Sequence, residues 1–235
     1  MSPKPIDEKR WERSGIKLSR HFAASTRKTR DLALGRGDYD PARLFKWGQM
    51  MALAVVRMME SAERRFGAEG QAIMAEALTD LGREIGREVL QGWEKKPGVR
   101  EIEAISAFVT YINEEIWASP ELPRVISDEE CSCDVLWCPH QDHYKPFDCR
   151  VQRYIVQGLL EAFQDKTGIA ADARFTQIMP KGAETCRFEI RRLPPGMEVR
   201  EWTKYSSELA KRALKRSSSS LNTEKKQTTE NGSGI

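Results

Sequence analysis

No cysteine occurs before residue 131, and the 235-residue chain holds only three histidines. Thiols and imidazoles supply nucleophiles, general bases and soft metal ligands. Chemistry of that kind is therefore to be sought between residues 131 and 190, which hold all five cysteines and two of the three histidines. Long apolar runs are missing too. The stretch from Met50 to Met59 is interrupted by Arg57, so no membrane-spanning helix is expected. The N-terminal residues include Asp7, Glu8 and Glu12 and lack the apolar core of a signal peptide. No phosphate-cradling loop of Walker type, G-x-G-x-x-G, G-x-S-x-G or H-E-x-x-H is present, which removes the commonest nucleotide, hydrolase-elbow and zincin routes. An odd number of clustered cysteines without a secretion signal fits reduced thiols, so a cytoplasmic location is expected.

What is present divides the chain by charge. Residues 1–40 carry ten Lys/Arg against six Asp/Glu, and residues 203–235 carry seven against three. The total is only +3, so the middle is acidic. Basic ends on an acidic core do not make a nucleic-acid groove, and no nucleic-acid or membrane partner is expected. The organisation read from this is a basic segment 1–40, a domain 41–202, and a short helix with a Ser-rich basic tail over 203–235. The ends should contribute little burial.

Helices come first. Asp40 before Pro41 is a helix-start signal. From Ala42 to Phe66 apolar residues occupy most of the circumference, so this helix should be central, with its methionines filling core. Gly67 should end it. Residues 69–91 form a second helix with Ile73, Ala77, Leu81, Ile85 and Val89 on one stripe, and Gly82 and Gly86 beside it. Each glycine costs a helix ~1 kcal/mol against alanine, which points to close approach of another helix. A third helix spans 100–117. Short strands are expected at Val125-Ile126 and Val135-Trp137, a helix at 148–165, and an antiparallel hairpin from 173–179 and 185–191. Strand alternation puts Cys186, Phe188 and Ile190 on one inward face. The fold class is α+β, with N-terminal helices packed on an antiparallel sheet and a C-terminal β-hairpin.

Cys138-x-His140-x2-His143-x5-Cys149 is the sharpest constellation. Zinc takes tetrahedral sulfur and nitrogen ligands, and short spacings let neighbours reach one ion. Cys138, His140, His143 and Cys149 are therefore candidate ligands of a zinc-like divalent metal, although the spacing matches no standard finger. The competing chemistry is a thiolate nucleophile, Cys138 or Cys149, with His140 or His143 as its base. Buried thiols beside surface histidines are the plain alternative. The acidic run around Cys131 and Cys133 is better read as a solvated turn.

Three motifs carry a resemblance. Phe66-Gly67-Ala68-Glu69-Gly70 opens a helix containing Gly82 and Gly86; Cys138-Pro139 is followed by Cys149 ahead of a helix; Gly182-Ala183-Glu184-Thr185-Cys186-Arg187-Phe188 closes a hairpin. Together they resemble the L-2-amino-thiazoline-4-carboxylate hydrolase family, related in fold to 4-vinyl reductase-type ligand-binding domains. The likeness spans about residues 45–193. Ala183 and Arg187 depart from it where aspartates are common, and Cys131 and Cys133 look like additions. The resemblance implies a hydrolase opening a C–N or C–S bond of a small cyclic amidine-like molecule. On that hydrolase reading Cys138 or Cys186 is the nucleophile or metal ligand, and His140 or His143 the base or a ligand. A non-catalytic small-ligand or metal-binding sensory domain is the alternative from another class. Expected partners are a small-molecule substrate or ligand, with a homodimer as a further candidate. Cys138, Cys149 and Cys186 should converge, with Cys131 and Cys133 apart.

Overall fold

Asp40 does what its position before an apolar run suggests: its Oδ1 accepts the Ala42 N–H at 2.9 Å and caps the first helix. The computed structural model describes residues 42–94, 97–194 and 206–216, with residues 32, 37, 38, 40, 197 and 204. Expectations for 1–31 and 217–235 lie outside the described residues. Helix α1 runs Ala42–Phe66 and α2 Ala68–Val89, separated by Gly67 at φ +60°, a conformation that favours glycine. Helix α3, Glu101–Tyr111, passes into a π-turn at Ile112–Ile116. Strands β1, Glu121–Val125, and β2, Glu130–Val135, form a hairpin. Helix α4, Arg150–Thr167, crosses to a second hairpin of β3, Ala171–Gln177, and β4, Cys186–Arg192. Residues 206–216 form a further helix, α5. The sheet order is β1-β2-β4-β3, antiparallel throughout. The architecture is the expected α+β. Among the described residues no helix is long and apolar enough to cross a membrane.

The main core lies between the sheet and the α3/α4 layer. Phe108, Ile102, Ile105 and Phe163 are 0–1% exposed, with the Phe108 and Phe163 rings 5.0 Å apart. Each such side chain contributes roughly 1.5–3 kcal/mol by leaving water. The outer sheet face is a ladder of ion pairs, including Arg187 with Asp134, Arg174 with Glu189 and Arg191 with Glu130.

Three local expectations change. The acidic cysteine segment is not a loop between strands, because Glu130–Val135 is β2 itself, and residues 127–129 make the turn. Cys131 and Cys133 face the apolar layer, which overrides the polarity of their neighbours. The α2 stripe also turns outward in part: Ile73 is 58% and Leu81 43% exposed. The buried edge is instead Gly70, Leu78, Gly82, Gly86 and Val89. A Cβ on Gly82 would stand 2.1 Å from the Ile155 carbonyl oxygen, and one on Gly158 would stand 1.9 Å from that of Thr79. Backbone contact between α2 and α4 therefore sets the rotation of α2. Finally, α1 is covered on one side only, with Met59 fully buried but Trp47, Met50 and Met58 more than half exposed.

Candidate functional site at the cysteine turn

Pairing of β2 with β4 ends at Val135 opposite Cys186. The chain then leaves the sheet through Leu136, whose N–H reaches the Pro120 carbonyl at 2.8 Å. Helix α1 holds the next residues from outside: Trp137 stacks on Phe45 at 5.3 Å, and Gln49 donates to the Pro139 carbonyl at 3.2 Å. The turn from 138 to 149 is pinned by its own bonds. The Cys138 N–H reaches Gln141 Oε1 at 3.2 Å, the Tyr144 N–H reaches the His140 carbonyl, and the Lys145 N–H reaches Asp148 Oδ2. Cys149 stands immediately before α4 and its carbonyl accepts the Arg153 N–H.

Three thiols lie near enough here to influence one another electrostatically. Cys138 and Cys149 are half-buried and Cys186 is buried. Cys186 packs with Val135 and Ile178 against Phe175 and Met179, and its sulfur accepts the Met179 N–H at 3.3 Å. Burial raises the Cys138 thiol pKa, the backbone of His140 and Gln141 opposes the rise, and Cys186 adds to it. Cys149 is pushed up to about 12 by burial and by the nearness of Cys186, Cys138 and Asp148, against the pull of Arg153. Cys186 is also raised by burial, with the Met179 N–H and Arg153 opposing. Each thiol therefore feels another, and Cys149 and Cys186 both feel the same guanidinium. All three are neutral near pH 7.

Arg153 is the residue that sequence reasoning missed. It is 1% exposed, and its guanidinium lies over the Phe175 ring, 5.1 Å from the centroid. The signal was present: a charged residue one turn after Cys149 on the apolar face of a helix otherwise formed by Val151, Tyr154 and Ile155. A second buried cation, Arg150, pairs with Glu63 at 2.7 Å, both 3% exposed. Gln71 donates to that same carboxylate and to the Ala210 carbonyl, so α1, α2, α4 and α5 meet behind Cys149.

The histidines play lesser parts. The His140 ring stacks on Tyr144 at 4.8 Å, and burial lowers its pKa, with His143 adding to the effect. His143 is exposed. Among the described residues, no group of three or more His, Cys, Asp or Glu side chains is arranged to hold a metal ion, and Cys138, His140, His143 and Cys149 do not form one. Cys131 and Cys133 occupy a different environment. They are 1% and 2% exposed, opposite Ile190 and Phe188, beside Glu121, which accepts from Thr110 at 2.6 Å and from Asn113. Burial drives Cys131 to about 12 and Cys133 well above its ordinary value.

No family model matches the chain. It is similar to an uncharacterized protein of Archaeoglobus fulgidus, with 44% identity over 183 residues, covering 75% of this chain and 81% of that protein. Among solved structures it is similar to a trafficking protein particle complex subunit 3 from Naegleria fowleri, covalently bound to palmitic acid. That likeness has 13% identity and a TM-score of 0.43, covering 64% of this chain and 97% of the other. The chain belongs to one family with the archaeal protein.

Proposed function

We propose that this domain binds a small organic anion, with an apolar body and one carboxylate-like group, at the Cys138–Cys149–Cys186–Arg153 site. One observation carries the reading: a buried guanidinium acts on two neutral thiols, Cys149 and Cys186, and lies over Phe175, which packs with Val135 and Ile178 around Cys186. A guanidinium at a ligand site favours an anionic group, because its planar fork matches a carboxylate. Neutral thiols present a polarizable, weakly polar wall. The test is calorimetric titration of small carboxylates, 2-aminothiazoline-4-carboxylate included, against their neutral amides. Carboxylates should bind and amides should not, and Arg153→Gln should weaken binding at least tenfold. Equal affinity for acid and amide would sink the reading.

Hydrolysis is the second reading, and a specific feature favours it. The backbone of His140 and Gln141 offsets part of the burial penalty on the Cys138 thiol, which makes a thiolate less costly there. His140, with its lowered pKa, is the base available to take the Cys138 proton. Attack on the amidine carbon would form a C–S bond, break the ring C–N or C–S bond, and leave an adduct for water to cleave. Cys138→Ser should then abolish ring opening while keeping carboxylate affinity. Ring opening at the wild-type rate in that variant would exclude Cys138 as nucleophile.

A further inference from the structure

Helix α1 carries two apolar seams with the same spacing on opposite sides. Gln49, Ala52, Val56, Met59 and Glu63 advance by three and four residues alternately and face the α2/α4 layer. Leu44, Trp47, Met51, Ala54 and Met58 advance in the same way about half a turn round, and this second seam faces solvent. Leu44 is 44%, Trp47 59%, Met51 38% and Met58 55% exposed, and Met50 beside them is 53% exposed. A three-four alternation of apolar residues is the pattern by which one helix packs along another. Scattered apolar residues on a surface need no explanation, whereas a contiguous seam of this kind marks an interaction surface.

We propose that this seam is the contact with a second copy of the chain, the two α1 helices lying antiparallel about a twofold axis near Met51. The seam complements itself on that axis. Leu44 of one copy falls against Met58 of the other, each Trp47 lies over the small Ala54 region, and Met51 meets Met51. The same residues thus meet in both halves, as an isologous contact requires. Size agrees as well. Taking ~200 Å² for a fully exposed side chain of this bulk, the five exposed residues offer roughly 500 Å² a side, over half of the ~800 Å² per partner in a standard interface.

The experiment is sedimentation velocity on the full chain from about 0.5 to 50 µM, with Met51→Glu and Met51→Lys, whose position is exposed enough to leave the fold intact by circular dichroism. The wild type should be dimeric across most of that range. Each variant alone should self-associate at least 100-fold more weakly, because the twofold sets like charges against each other. An equimolar mixture of the two should dimerise again. A monomeric wild type overturns the proposal, and two companion arms say why. Dimerisation only after removal of residues 1–41, which contain Trp11, Ile16, Leu18 and Phe22, would mean that the chain covers the seam itself. Co-sedimentation of monomer with vesicles of one-third phosphatidylserine, lost in Met51→Glu, would mean a membrane surface. A wild-type dimer unaffected by either variant would place the contact elsewhere and overturn it equally.

Discussion

Two sets of cysteines share one end of the molecule and differ in almost everything else. Cys131 and Cys133 lie on the inner face of β2, sealed by α3 and paired with Ile190 and Phe188. Cys186 follows one step further along the same strand pairing, opposite Val135, where the sheet stops. There the covering layer changes from the rigid α3 to the turn that carries Cys138 and leads into Cys149. Moving one pairing step thus turns a packing thiol into part of a site. What makes the difference is not the cysteine but the cover: apolar side chains in the first set, backbone N–H groups and the Arg153 guanidinium in the second. A cysteine count alone could not separate them.

The comparison breaks most readily under a thiol reagent. Iodoacetamide applied to the native protein at pH 8.5 should alkylate Cys138 first. Cys138 and Cys149 are both half-buried, but burial holds Cys149 up to about 12 while the backbone of His140 and Gln141 moderates the rise at Cys138. Cys131 and Cys133 should react at least ~100-fold more slowly, because they must wait for an opening that unseals the core. Peptide mapping by mass spectrometry reads this directly. Labelling of Cys133 at the Cys138 rate would erase the distinction between the two sets.

A smaller effect separates them by stability. Cys131→Ser or Cys133→Ser places a hydroxyl where almost no water reaches and should cost about 1–3 kcal/mol in urea unfolding. Cys138→Ser, at a half-exposed turn, should cost less than ~0.5 kcal/mol. Losses of equal size would show that the turn is as much a part of the core as β2.

Much of this arrangement was legible in the residues. Gly82 and Gly86 in a helix implied a close helix neighbour, and α4 is that neighbour. The alternation of Cys186, Phe188 and Ile190 placed that cysteine inward correctly. The illegible parts share one cause. Periodicity tells which residues of a helix lie together, not which element will cover them. Ile73 and Leu81 were expected inside and are exposed because backbone contact at Gly82 and Gly158 fixes the rotation of α2. The outer seam of α1 reads as core for the same reason, since nothing in the sequence says whether its cover lies in the same chain. Arg153 was hidden because a single charge on an apolar helix face ordinarily snorkels to water. The Cys–His spacing suggested a metal, but His140 is committed to Tyr144 by stacking and His143 points to a polar surface position.

The smallest expected effect is in the pH dependence, and it tests both sets at once. A thiol whose pKa is raised by folding contributes stability that is complete below its unfolded pKa, about 8.5. That contribution is lost as pH climbs towards the folded value, since the unfolded state then gives up its proton and the folded state does not. Cys131 and Cys149, both at about 12, and Cys133, also raised well above its ordinary value by burial, should therefore make urea midpoints fall steadily above pH 9. Cys131→Ala should flatten that fall relative to its own value at pH 7. His140 acts at the other end. Its pKa is lowered by burial, so its contribution is complete above ~6.5 and is lost as pH drops through the folded value. Between pH 7 and pH 5 the wild type should lose more stability than His140→Phe, which keeps the stack on Tyr144 without a proton site. An acid limb identical in the two proteins would mean that His140 is solvated whenever it titrates, and that the turn opens before the core does.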